Sequence, residues 1–171
     1  MNTTAQPSHS PVADFLWSAK LPSSSNDSGT PVTSPPVVHH EVKSMLLKLS
    51  STKTVGEAAN ALRSAVAANH FGVMHVHNLK ETMAKKGVKF GRECRIFDVC
   101  QPLQAKKVLD ENMSVSAALP CRISIYEQGG KTILATLKPT VVLSSFNTPE
   151  LEPVAQEVEK TIIKIMTEAA G

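Results

Sequence analysis

The sequence predicts an α+β fold, a mixed sheet with helices packed on one face, preceded by a disordered N-terminal tail. Three observations predict it. Strand-like and helix-like segments alternate from Val42 onward; a Gln128-Gly129-Gly130 turn between two apolar runs marks a hairpin; and three to four helices are too few to cover both faces of a sheet.

Residues 1–37 are roughly half Ser, Thr and Pro, a composition that buries too little apolar surface to offset chain entropy. The island Val12–Leu21, with Phe15, Leu16 and the single Trp17, interrupts this tail as a sticky segment, a short linear motif or a docking helix. Residues 38–171 form the single domain. "VKSMLLKLS" reads as its first strand, with Met45, Leu47 and Leu49 on one face. Thr54 and Glu57 have capping-box spacing, and the following Ala-rich helix carries Val55, Ala58, Ala59, Leu62, Ala65 and Val66 as a buried stripe that Gly72 ends.

"VMHVHNL" is the second strand, followed by a short helix closed by Gly87. "ECRIFDVC" is the third, and Pro102 suits the first turn of the helix "LQAKKVLDEN" because its missing N–H would be unpaired there anyway. "CRISIYE" and "KTILATL" form the hairpin. "TVVLSSF" reads as a further extended piece, and the closing helix starts near Thr148 as cap with Pro149 in its first turn.

Composition removes several function classes. The chain has 18 Lys+Arg against 15 Asp+Glu and only 4% aromatic residues, so neither a basic stripe nor a stacking platform for nucleic acid is present. No apolar run reaches membrane-spanning length, and the N-terminus lacks a secretory pattern, which predicts a cytoplasmic protein without a membrane partner. Three cysteines without framework spacing fit free thiols in a reducing compartment.

Strand parity then sorts the faces. Met74 and Val76 read as core, which turns His75 and His77 outward. Phe97 and Val99 as core turn Asp98, Cys94 and Cys100 outward. Cys121, Ile123 and Ile125 as core leave Arg122, Ser124 and Tyr126 open. His75, His77, Asp98, Arg122 and Tyr126 are therefore the candidate ligand-binding set. The His-x-His pair offers two metal ligands where a site needs three or four, so no metal site is assigned. Cys100, just before a proline-started helix, is placed where the helix dipole favours a thiolate. No Ser-His-Asp order, phosphate-cradling glycine pattern or Cys-x-x-Cys spacing occurs.

Cys100-Gln101-Pro102 at a strand-to-helix turn, "VLDEN", Leu119-Pro120-Cys121 before a strand and Ile125-Tyr126-Glu127 leading into a hairpin together resemble the domain-of-unknown-function family numbered three hundred and two. Gln101 stands where that family more often has asparagine. The resemblance covers most of residues 42–169. It implies an α+β domain with helices on one sheet face, often dimeric, with no established catalytic activity, and the motif pair implies that Cys100 and Cys121 approach one another at the sheet end.

The functional expectation is a non-enzymatic homodimer that binds a small molecule or serves assembly, with cofactor unknown. One alternative is a thiol-dependent redox enzyme with Cys100 as nucleophile and Cys121 resolving; another is a metal or haem protein using His75 and His77.

Overall fold

The computed structural model describes residues 44–171. The tail 1–37, its Val12–Leu21 island and His39-His40 lie outside the described residues. From Leu46 the chain runs β1 (Leu46–Ser51), α1 (Val55–Ala68), β2 (Gly72–Asn78), α2 (Leu79–Lys85), β3 (Cys94–Cys100) and α3 (Pro102–Glu111). A 3₁₀ segment (Met113–Ala118) leads into β4 (Cys121–Gln128) and β5 (Lys131–Leu137). Then come α4 (Pro139–Ser144), a 3₁₀ turn (Pro149–Leu151) and α5 (Glu152–Ala170).

Local chemistry places most of these boundaries. Thr54 Oγ1 accepts the Glu57 N–H at 3.3 Å while the Glu57 carboxylate accepts the Thr54 N–H at 2.8 Å, so two otherwise orphaned donors open α1. Asn78 Oδ1 caps α2 through the Glu81 N–H, and Gly87 follows that helix with φ 75°. Gly129 and Gly130, with φ 61° and 72°, make the tight turn between β4 and β5, as their positive-φ tolerance requires.

The five strands are ordered β1-β5-β4-β3-β2, and every neighbouring pair is antiparallel. The α+β class holds, while the pairing is antiparallel throughout where a mixed sheet was expected. The reason is the reach of α1: β1 and β2 flank it in sequence but occupy opposite edges of the sheet, so this connection creates no parallel neighbours.

Helices α1 and α5 pack on one face. Leu62, Val66, Ile162, Ile165 and Met166 interlock there with Phe97, Ile123, Ile125 and Leu134, all essentially inaccessible to solvent. Burying each such side chain contributes about 1.5–3 kcal/mol, which makes this the principal stabilising layer. A second cluster, Val108, Val115, Leu143, Leu151 and Ala155, joins α3, α4 and α5 beyond the sheet end.

Several local expectations are corrected. Gly72 does not end α1: the helix closes at Asn69, whose side chain donates to Ala65 O at 2.8 Å, and His70 takes the left-handed conformation at φ 59°. Met74 is not core. A register shift between Val73 and His75 makes it the extra residue of a bulge, and it is 65% exposed. Met45 precedes β1 and is half exposed, while Leu47 and Leu49 do pack on the core.

"TVVLSSF" is largely helix α4 rather than extended chain. Pro139 starts it, and the Thr140 N–H donates to Glu159 Oε2 of α5 at 3.0 Å, a tertiary cap that overrides the β preference of Val141 and Val142. Pro149 opens a 3₁₀ turn and α5 itself begins at Glu152. Thr148 makes no side-chain cap; it accepts from Asn112 Nδ2 at 3.0 Å instead. Among the described residues no helix is long and apolar enough to cross a membrane.

Candidate functional site

On the sheet face away from α1 and α5, register aligns His75 of β2, Asp98 of β3 and Arg122 of β4 in one row. Asp98 is buried, and its carboxylate accepts from two sides: His77 Nε2 lies 2.9 Å from Oδ2 and Arg122 Nε donates to Oδ1 at 3.2 Å. Burial alone would raise the Asp98 pKa, but these two hydrogen bonds and the adjoining positive charges outweigh it and hold the carboxyl below its ordinary range. The His75 ring meets that of His77 edge-on at 4.5 Å between centroids.

Four of the five expected ligand-binding residues are thus gathered by direct contact. Tyr126 shares their face but stands farther along β4, opposite Cys94 and Ile133, with no hydrogen bond to the Asp98 cluster. Among the described residues no group of three or more His, Cys, Asp or Glu side chains is arranged to hold a metal ion.

The two motif cysteines meet at the sheet end. Cys100 closes β3, and Cys121 opens β4 opposite Val99 after a cis Leu119–Pro120 peptide; both are free thiols. Gln101 caps α3, its Oε1 accepting the Gln104 N–H at 2.7 Å, so glutamine performs here the capping that asparagine ordinarily provides. The expected lowering of the Cys100 pKa is reversed. Burial pushes the Cys100 thiol up, and burial with the neighbouring Cys100 pushes Cys121 up to about 11.

Beyond these thiols a cavity of about 490 Å³ opens between the sheet end and helices α3, α4 and α5. Its floor is Val99, Cys100 and Cys121. Val108 and Gln104 contribute one wall, Val142, Leu143 and Phe146 a second, and Val154 and Val158 a third. Ala117, Ala118 and Leu119 of the 3₁₀ segment border it too. Among the described residues, Arg122 is the one charged residue on its boundary. That side chain is 66% exposed and engaged with Asp98, so the interior is effectively uncharged.

Gln104 adds a polar point. Its Oε1 is packed against protein atoms beyond the reach of a water-sized probe and has no hydrogen-bond partner among the described residues, a condition shared there only with Arg95 Nε. Of the five open-face candidates only Arg122 borders the cavity. The cavity residues of α4 and α5 escaped the sequence reading, because taking "TVVLSSF" as a strand removed the wall that encloses the space. The small residues Ala117 and Ala118 just before Leu119-Pro120 were the available signal.

The family model described as Domain of unknown function DUF302 matches residues 47–169. The crystal structure of an uncharacterized conserved DUF302 protein from Bacillus stearothermophilus superposes with TM-score 0.71 at 27% identity, covering 74% of this chain and 98% of that one. No curated protein matches. The motifs at Cys100 and Cys121, the family match across the whole folded region and the shared fold agree, and the chain belongs to the DUF302 family.

Proposed function

We propose that this domain is a non-enzymatic binding module that holds a small, mostly apolar molecule in the cavity at the sheet end, and that it works as the homodimer its family resemblance implies. The observation that carries the reading is the cavity itself. At about 490 Å³ it falls within the roughly 300–1,000 Å³ of small-molecule sites, and it combines apolar walls with very few polar points.

The thiols support binding over chemistry. A nucleophilic cysteine is ordinarily held as a thiolate by nearby positive charge or a helix N-terminus, whereas Cys100 and Cys121 are both shifted toward the neutral thiol. In that state they act as small apolar surface. The Asp98 cluster has a structural part in this reading, since it draws the Arg122 side chain onto the open face and keeps the cation out of the cavity.

Native mass spectrometry of the freshly purified full-length chain, beside its denatured mass, tests the reading. Extra mass that disappears on denaturation, or one N-phenyl-1-naphthylamine taken up per chain on addition, is the expected result. A bare chain that takes up none of this apolar probe would overturn it.

A further inference from the structure

The exposed apolar side chains are not evenly spread. Met74, Val88, Leu103, Met113 and Ile163 stand singly on separate elements, as isolated surface hydrophobes ordinarily do. Met45, Leu46 and Leu137, between 39% and 50% exposed, stand together: Leu46 and Leu137 are register partners on β1 and β5, and Met45 O accepts the Lys138 N–H at 2.8 Å. Met45 and Leu137 also border the cavity, so this patch is an apolar lip on its rim.

The charge around the lip has one sign. Lys48 lies two residues beyond Leu46 on the same face of β1, Lys138 follows Leu137, and the pairing of Ile123 with Thr136 sets Arg122 beside Leu137. Residues 44–55 and 131–147 carry Lys48, Lys53, Lys131 and Lys138 and no Asp or Glu. Asp98, the acid next to Arg122, is buried and already engaged by Arg122 and His77. Glu159 of α5 accepts the Thr140 N–H of α4, and neither it nor Glu150 or Glu152 borders the cavity. Exposed leucine and methionine flanked by cations complement a surface that is apolar inside and negatively charged at its boundary.

Resting on the cavity reading, we infer that the lip formed by Met45, Leu46 and Leu137 docks on an anionic lipid bilayer, with Lys48, Lys138 and Arg122 against the headgroups. The rim of the cavity then meets the acyl boundary, where an apolar molecule is concentrated and from which it enters. The contact is peripheral, since among the described residues no helix is long and apolar enough to cross a membrane. The missing spanning run, from which the sequence predicted no membrane partner, concerns insertion and not surface contact.

Co-sedimentation of the full-length chain with vesicles of pure phosphatidylcholine, and with vesicles in which about 30% is replaced by phosphatidylglycerol, tests the inference at low and high salt. The anionic vesicles are expected to bind at least about tenfold more chain, with the difference shrinking at high salt. Leu46 does not border the cavity, so Leu46→Asp charges the lip without altering the site. This variant and Lys48→Glu should each weaken binding to the anionic vesicles at least about tenfold while leaving N-phenyl-1-naphthylamine uptake in vesicle-free solution unchanged.

Equal binding to both kinds of vesicle, binding to neither, or unaltered binding by either folded variant would overturn the docking inference. Probe uptake that persists in those cases leaves the cavity reading intact, whereas its loss in the unaltered chain would overturn that reading separately. A Leu46→Asp chain that changes from dimer to monomer in vesicle-free native mass spectrometry would show a second copy on the lip and also overturn the inference. If Leu46→Asp does not fold, the lipid preference of the unaltered chain and Lys48→Glu decide the matter.

Discussion

Asp98 and Arg122 face one another across β3 and β4, and the 3.2 Å hydrogen bond from Arg122 Nε to Asp98 Oδ1 ties the sole cation that the described residues place on the cavity boundary to the opposite side of the sheet. His77 completes the arrangement from β2 at 2.9 Å. One buried carboxylate therefore organises three strands and sets the charge of a space to which it does not itself belong.

A pH dependence follows from Asp98. Its native carboxyl lies below the roughly 3.9 of an unfolded aspartate, so folding favours the ionised form. The sign is that of a depressed acid: the stabilisation is complete above about pH 4 and is lost as the pH falls through the lower native value. Urea midpoints measured between pH 2 and pH 7 should fall on the acid side, and Asp98→Asn should flatten that fall. At neutral pH, Asp98→Ala is expected to cost about 1–3 kcal/mol, because two donors lose their acceptor. An unchanged acid limb in Asp98→Asn would remove this assignment.

The bulge at Met74 makes a contrast with the core testable. Leu62 is fully buried in the layer between α1 and the sheet, and Leu62→Ala should lower stability by about 2–5 kcal/mol. Met74→Ala, at a 65% exposed position, should stay within about 0.5 kcal/mol of wild type. Comparable losses from both substitutions in chemical denaturation would show Met74 in the core and place the register shift elsewhere.

Thiol reactivity separates the binding reading from the redox alternative. With Cys121 at about 11 and Cys100 raised by burial, iodoacetamide at pH 8 should alkylate Cys121 more than about tenfold more slowly, and Cys100 also more slowly, than a free thiol of ordinary pKa near 8.5. Peptide mapping reads each site separately. A Cys100 that ionises below the free-thiol value would restore the nucleophile reading.

Ligand access makes a further prediction at the same residues. Because Cys100 and Cys121 form the cavity floor, saturating N-phenyl-1-naphthylamine should slow their alkylation further and leave Cys94, at the far end of β3, unaffected. Equal slowing at all three cysteines would indicate general stabilisation instead of a filled cavity.

The chain's patterning made a large part of this legible. Period two sorted His75, Asp98 and Arg122 onto one face correctly because the pleat admits only two directions, and capping chemistry announced α1 at Thr54 and α3 at Pro102. It failed where a tertiary contact decides the outcome. Glu159 caps α4 from a helix 19 residues away in sequence, so nothing local contradicted a strand over Val141 and Val142. The bulge that turns Met74 outward likewise depends on how β2 meets β3. The cavity was invisible for a simpler reason: an enclosed space belongs to no single segment, and its lining comes from seven elements.

The most direct test of the central claim is a titration of N-phenyl-1-naphthylamine into the full-length chain and its Val142→Trp variant, followed by probe emission. Val142 is half-buried on the cavity wall, where an indole can fill the space while the fold is retained. The account predicts one saturable site per wild-type chain and at least about tenfold weaker binding in a variant whose thermal unfolding remains cooperative. Equal affinity in both proteins would contradict the claim that the ligand occupies this cavity.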